Sequence, residues 1–296
     1  MKKRPIVIDL FCGAGGESQG IHDAFLKMNV EPKVYAVNHW ETACNTHSLN
    51  FPQDEVLCQD TTAIDPKKLI GDEKVALLWA SPECQSHSVA RGGQPKSDQS
   101  RSTAWDVLRW ASMLRPSKII VENVPEFVNW GPLDANGISI KSICGNLFKA
   151  FINSLKAMGY KVDWKILCAA DYGAPTTRRR LFLQASLGRI IWPTPTHTEE
   201  VNLLCNTKWV PVKDVLDWSI PKRPFSERTR PLADSTVQKV FDGALKFWSK
   251  DKCEPFIARF NSGSNRVHSI HQPLPTLDCS NRYALVEPKS IITHPP

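Results

Sequence analysis

The sequence contains no run of about 18 apolar residues, the length that a membrane-spanning helix needs. Its nine cysteines are odd in number and include no Cys-x-x-Cys pair. A disulfide framework or a zinc ribbon is therefore not expected. Cys84 and His87 lie three apart, as do His268 and His271, but neither pair has a matching second pair, so no metal is expected. Internal repeats and low-complexity tracts are missing as well. The apolar stretch after Met-Lys-Lys-Arg-Pro reaches only Asp9, too short for a secretion signal, and the chain reads as cytoplasmic with no membrane partner. Most of the cysteines then read as small buried apolar residues in a reducing compartment. Neither a phosphate-binding lysine motif nor Gly-x-Gly-x-x-Gly occurs, which argues against ATP and dinucleotide sites.

What remains is an ordinary globular chain of 296 residues, 42% hydrophobic and 23% charged. That length suits one large α/β domain, or a main domain with a smaller lobe. The net charge is +7, and residues 189–296 carry +4 of it. A basic excess of this size permits a polyanionic partner without requiring one.

The first 188 residues alternate strand and helix signals. Strands are expected at Pro5–Leu10, Lys33–Val37, Val75–Ala80, Lys118–Val121, Val162–Cys168 and Leu181–Ala185, with a weak third strand before Asp60. Helices are expected at Glu17–Met28, up to about Leu49, at Thr103–Leu114 and at Leu147–Met158. Such alternation implies a doubly wound, mostly parallel sheet with helices on both faces. Beyond Ile190 prolines crowd in at 193, 195, 211, 221, 224 and 231, and the alternation is lost. The expectation is a catalytic and cofactor-binding domain over 1–190 and a loop-rich lobe over 191–296.

Chemistry gathers at the expected strand ends, where α/β enzymes bind ligands. Asp9-Leu10-Phe11-Cys12-Gly13-Ala14-Gly15-Gly16 leaves the first strand and opens a helix. Glycines there let backbone approach a ligand, and a helix N-terminus offers free N–H groups; a tight turn without a ligand is the plain alternative. Asn38-His39-Trp40 ends the second strand, where a polar group can reach ribose hydroxyls and an indole can cover adenine. Asp60-Thr61 ends the third, where a carboxylate can accept from an adenine amine. Together they outline an S-adenosylmethionine pocket. Ser81-Pro82-Glu83-Cys84-Gln85 follows the fourth strand, and a thiol in that position can serve as a nucleophile. Glu122-Asn123-Val124 ends the fifth strand, and Arg178-Arg179-Arg180 precedes a later one, pointing a carboxyl and guanidinium groups at the same rim.

In this order, DLFCGAGG (9–16), Pro-Glu-Cys-Gln (82–85), ENV (122–124) and PTTRRR (175–180) resemble the DNA cytosine-5 methyltransferases over about residues 1–190. SPECQSHSVARGG (81–93) is most similar to a phage and bacterial branch, including restriction-modification enzymes. The resemblance implies a fold of the S-adenosylmethionine-dependent methyltransferase type and duplex DNA as partner. It makes Cys84 the nucleophile at carbon 6 of a flipped cytosine, with Glu122 at ring N3 and the exocyclic amine. Arg178 would bond the base carbonyl, and Arg180 would support the site. Phe11, Gly13, Gly15 and Gly16 would line the methionine and ribose side, Trp40, Asp60 and Thr61 the adenine, with His39 and Ser81 beside them.

Three departures stand out. Glu83 replaces the proline usual before the nucleophile, and is expected to point away from Cys84. His39 stands where a glutamate usually holds the ribose. Thr176 replaces the glutamine of Pro-Gln-x-Arg-x-Arg, while both arginines remain. In the second lobe, Arg228, Arg230, Arg259, Asn261, Arg266 and Arg282 are candidate phosphate or base contacts. Gln272–Leu277 and Asn281–Val286 also look like the family, but the family's C-terminal elements do not follow. Four alternatives stand beside the leading reading: a second polypeptide that completes the fold, an inactive nucleic-acid binder, a methyltransferase acting on tRNA cytosine as one branch of the fold does, and transfer of a modified group, suggested by His39 and Glu83.

Overall fold

The computed structural model describes residues 4–83, 98–201, 203, 205–221, 232–249, 252–260, 267–277 and 283–288. Two compact units divide the chain: Met1–Leu167 with Arg180–Trp192, and Cys168–Arg179 with Pro193–Pro296.

In the first unit the alternation of the sequence becomes β1 (Ile6–Leu10), α1 (Gly16–Lys27), β2 (Lys33–Asn38), α2 (Glu41–Asn50), β3 (Glu55–Cys58), α3 (Pro66–Ile70), β4 (Val75–Ala80), α4 (Asp98–Leu114), β5 (Lys118–Asn123), α5 (Asn146–Ala157), β6 (Lys161–Cys168) and β7 (Arg179–Ser186). The strands form one sheet in the order β3-β2-β1-β4-β5-β7-β6. The β1–β2, β1–β4, β2–β3 and β4–β5 pairs are parallel, and β5–β7 is antiparallel. Strand order reverses between β1 and β4, and in open α/β sheets ligands bind at such a switch point.

Burial follows the two-residue period of a strand with both faces covered. Ile6, Ile8 and Leu10 of β1 join a core completed by Val107, Trp110 and Leu114 of α4 and by Phe148, Phe151 and Leu155 of α5. Val7, between them, packs with Ile21 of α1 and Val34 of β2 in a separate cluster. α4 is fixed by a stripe at Ala104, Val107, Trp110, Ala111 and Leu114, all buried. Its helix begins at Asp98, five residues before the expected start. The polar run before Thr103 hides that first turn, because it carries no apolar period.

The β1–α1 turn depends on glycine at one position above all. Gly15 has φ +96°, and a Cβ there would lie 2.4 Å from the Phe51 ring. Phe51 stacks on His22 and meets His47 edge-on, and Asp54 takes the Nε2 of each imidazole at 2.8 and 3.1 Å. Asn50 Nδ2 donates to the Ala14 carbonyl at 3.2 Å. The end of α2 therefore carries the glycine turn from behind. Asp9, in β1, is fully buried; Ser18 Oγ donates to its Oδ2 at 2.7 Å, and its Oδ1 has no partner among the described residues.

The second unit holds α6 (Asp234–Phe247) and a small antiparallel sheet in the order β10-β8-β9, from β8 (Phe256–Arg259), β9 (Val267–Ser269) and β10 (Tyr283–Val286). This is more regular structure than a loop-rich lobe. α6 contains the poor helix formers Thr236, Val237, Val240 and Gly243 and has no side-chain cap, although Val237, Val240, Phe241 and Ala244 recur at helical spacing. Tertiary packing overrides propensity there: Gly243 lets the Phe256 ring sit against the helix backbone.

Two stability outcomes follow from these contacts. Gly15→Ala should cost about 1–3 kcal/mol in urea unfolding, since strain and overlap add. Gly16→Ala, with no atom within 4 Å of its Cβ, should stay within about 0.5 kcal/mol of wild type. Burial pushes the Asp9 carboxyl from 3.8 to about 8, so the folded state holds a proton that the unfolded state releases. Stability should therefore fall as pH rises between about 4 and about 8, by up to about 1.4 kcal/mol per unit, and level off above. Melting curves at pH 5 to 9 should show this slope flattened in Asp9→Asn.

Candidate active site

Parallel strands bring five sequence-distant segments to one edge of the first unit. They are Phe11–Gly16 after β1, His39–Trp40 after β2, Asp60–Thr61 after β3, Ser81–Glu83 after β4 and Glu122–Asn123 at the end of β5.

The glycine turn is open where a ligand would approach. Phe11 packs its ring on the core with φ +61°. Gly13, at φ +54°, has no atom of the described residues within 4 Å of where a Cβ would stand. Gly15 is the N-cap of α1 in the left-handed conformation, and no side chain caps the helix. The first N–H groups of α1 are thus left for solvent or a ligand. Cys12 lies beneath, its thiol pushed far up by burial and by the neighbouring Asp9; it is unsuited to act as a nucleophile.

The β2 end places His39 and Trp40 on the surface, and the Trp40 indole is 62% exposed. A large ring left uncovered at a strand's carboxyl end is a platform for a planar group. The Trp40 N–H donates to Asn38 Oδ1 at 2.9 Å, which fixes the turn into α2. Asp60 is exposed and its carboxyl is held below the usual range, first by the Thr62 hydroxyl and N–H, with His39 and Arg109 adding to the effect. It is therefore an acceptor near neutral pH. Thr61 differs from the expectation of an adenine contact: it is 5% exposed, and its hydroxyl donates to Asp106.

Ser81 closes the gap between β1 and β4. Its N–H donates to the Leu10 carbonyl at 3.1 Å and its hydroxyl to Glu17 Oε1 at 3.2 Å. The Trp79 indole N–H donates to the same hydroxyl. Beyond Ser81, Pro82 is buried and its carbonyl accepts from Asn123 Nδ2 at 3.1 Å; Asn123 Oδ1 in turn accepts from the Val124 N–H. Asn123 is almost fully buried and ties the ends of β4 and β5 together two residues before Cys84. Cys84 itself lies outside the described residues, and so does its relation to Glu83, which is half-buried.

Glu122, next to Asn123, pairs with Arg180 Nε at 3.0 Å, both side chains under one-fifth exposed. Register explains the pairing: Glu122 faces Phe182 across β5–β7, and Arg180 lies two residues before Phe182, on the same face. Arg178 belongs to the second unit, where it is half-buried and its carbonyl accepts from the Ala169 N–H. In that unit the Pro175–Thr177 stretch is held by Leu274: Leu274 N–H donates to Pro175, and Thr177 N–H to Leu274. Of the candidate nucleic-acid contacts, Arg259 is half-buried in β8 with its guanidinium over the Tyr283 ring. Arg228, Arg230, Asn261, Arg266 and Arg282 lie outside the described residues.

Sequence reasoning passed over Glu17, Asn123, Asp106 and Arg109. Asn123 stands inside a quoted motif, and its amide was the available signal. Asp106 and Arg109 appear in sequence only as ordinary polar positions of an amphipathic helix. Among the described residues no cluster of three His, Cys, Asp or Glu could hold a metal, and no helix is long and apolar enough to cross a membrane.

A family model described as C-5 cytosine-specific DNA methylase matches residues 6–238. The type II methyltransferase M1.HphI of Haemophilus parahaemolyticus is 31% identical over 203 residues, 65% of this chain and 49% of that protein. The type II methyltransferase M.AquIA of Picosynechococcus is 31% identical over 198 residues, 64% of this chain and 76% of that protein. This chain thus spans about half the length of the first and three-quarters of the second. The S. pombe Dnmt2 methyltransferase shares the fold, with a TM-score of 0.54 at 17% identity over 90% of this chain and 83% of that one. The match over residues 6–238 takes in the glycine turn, the Ser81–Cys84 strand end, Glu122 and Arg180, and on it the chain belongs to the C-5 cytosine-specific DNA methylase family.

Proposed function

We propose that the protein methylates carbon 5 of cytosine in duplex DNA, with S-adenosylmethionine as donor. One observation carries the reading: the buried Asn123 amide anchors the chain two residues before Cys84 beside the Glu122–Arg180 pair. A thiol and a carboxyl held in place by a guanidinium are what addition to a pyrimidine ring demands.

Carbon 5 of cytosine is a weak nucleophile. Attack of the Cys84 thiolate on carbon 6 makes the ring electron-rich at carbon 5, because the ring nitrogen N3 takes up the displaced electron pair. Glu122 supplies or holds the proton at N3, and Arg180 keeps that carboxyl in place. Arg178 is assigned to the base carbonyl by its motif position. After carbon 5 is substituted, its proton leaves to a base and the Cys84–carbon 6 bond breaks, which restores both the ring and the thiolate. A base stacked in a duplex is out of reach of a strand-end loop, so the cytosine is flipped out, at about a few kcal/mol.

The donor side fits the residues present. The open space at Gly13 and Gly16, the uncapped start of α1, the bare Trp40 ring and the ionised Asp60 suit a nucleoside with an amino-acid tail. When bound, S-adenosylmethionine supplies the electrophilic methyl group. His39, beside Asp60, is assigned to the ribose side. Its exposure leaves it free to reach a hydroxyl.

Incubation with duplex DNA containing 5-fluorocytosine and S-adenosylmethionine should trap an adduct, because fluorine cannot leave as a proton does. Peptide mass spectrometry should find it on Cys84, and Cys84→Ser should form none. Glu122→Gln should slow methyl transfer to ordinary DNA by about 100-fold or more. An adduct on another residue, or methylation of tRNA with none of DNA, contradicts the proposal.

A further inference from the structure

The loop after β3 presents Asp60, and the bonds that Thr62 makes to Asp60 are local. Local turns of this kind shape a loop but do not place it against the rest of a fold. Placement comes from α4. Thr61 Oγ1 donates to Asp106 Oδ2 at 2.8 Å. One helical turn on, Arg109 Nη1 donates to the Ile64 carbonyl at 3.1 Å and Nη2 to the Thr61 carbonyl. Residues three apart share a helix face, so a single face of α4 grips both ends of Thr61–Ile64.

The grip is stiff. Val107 and Trp110 beside it are wholly buried, and Ile64 belongs to the same core. Two of the three bonds end on backbone carbonyls, so they fix the course of the chain rather than one side chain. Among the described residues the groups that face Asp60 are Thr62 on the same loop, His39 from the turn after β2 and Arg109 from α4. Asp106 receives Thr61 and lies near Arg109 and Asp60. With its hydroxyl engaged and its surface buried, Thr61 is an anchor rather than a ligand contact.

We infer that Asp106 and Arg109 are positioning residues for nucleoside selectivity, holding the β3 loop so that Asp60 reads the amino group of the purine. The inference rests on the S-adenosylmethionine reading and deepens it. A clamp that merely stiffened the fold would affect every ligand of the pocket alike. A clamp that sets the direction of one acceptor affects only ligands that donate to it.

The full-length protein tests this with two probes, S-adenosylhomocysteine and S-inosylhomocysteine, which carries an oxygen in place of the purine amine. Dissociation constants are measured by calorimetry for wild type, Asp106→Ala, Asp106→Asn, Arg109→Ala and Arg109→Lys, with melting temperatures alongside. Wild type should prefer the adenosyl probe by about tenfold or more, the size of one directed hydrogen bond. Asp106→Ala and Arg109→Ala should bring the two constants within about threefold, chiefly by weakening the adenosyl probe. Asp106→Asn keeps an acceptor for Thr61, and should restore most of the preference. Arg109→Lys keeps one donor nitrogen in place of two, and should restore part of it. Equal losses for both probes, or an unchanged preference in the alanine and conservative variants alike, overturn the inference. Wild type that binds neither probe overturns the cofactor reading itself, and wild type that binds both equally overturns the assignment of Asp60.

Discussion

The side-chain amide of Asn123 joins two strand ends that sequence keeps forty-one residues apart. One hydrogen bond reaches the Pro82 carbonyl and the other turns back to the Val124 N–H, so both polar atoms of a buried group are satisfied. A buried amide left half-bonded would cost about 1–3 kcal/mol, and that penalty holds the geometry. The chain leading to Cys84 therefore leaves β4 at a fixed place beside Glu122. The Glu122–Arg180 pair adds charge to that place, and antiparallel β7 is the element that delivers Arg180 to it.

The same division between groups that face the ligand side and groups that hold them recurs around the edge. The glycine turn is open at Gly13 and Gly16 and supported at Gly15 by Phe51, His47 and Asn50. Ser81 links β1, β4 and the first turn of α1 through Leu10 and Glu17. Asp60 faces out while Asp106 and Arg109 grip its loop from α4. His39 and Trp40 are exposed, at the place where the proposed nucleoside ligand would cover them. Structures built this way keep their reactive groups in position before any ligand arrives, which lowers the cost of ordering them later.

Much of the sheet was legible because period and punctuation agreed. Val75–Ala80 matches its expected span, and every expected strand in the first 188 residues is present within two residues at either end. The antiparallel direction of β7 was not legible, since a strand's direction depends on partners far along the chain. In the second unit, α6 packs on Phe256 and Val286, and the helical period of Val237, Val240, Phe241 and Ala244 was readable in the sequence but was passed over among the surrounding prolines. For the site, residue types at strand ends were readable: Gly15, Trp40, Asp60 and Glu122 stand on the edge where they were expected. Their supports were not readable, because Asn123, Asp106 and Arg109 act through contacts made only after folding. Thr61 illustrates the limit, since sequence alone could not say that its hydroxyl turns inward to Asp106.

Cys84, two residues beyond the tethered Pro82, is proposed to add to carbon 6 of cytosine. Addition there loosens the carbon-5 hydrogen, so release of tritium from DNA carrying 5-tritiated cytosine reports the step directly. Wild type should release tritium to water, and Asn123→Ala, assayed well below its own lowered melting temperature, should do so about 10- to 100-fold more slowly. Release at the wild-type rate from Asn123→Ala, or release that persists in Cys84→Ala, would contradict the account.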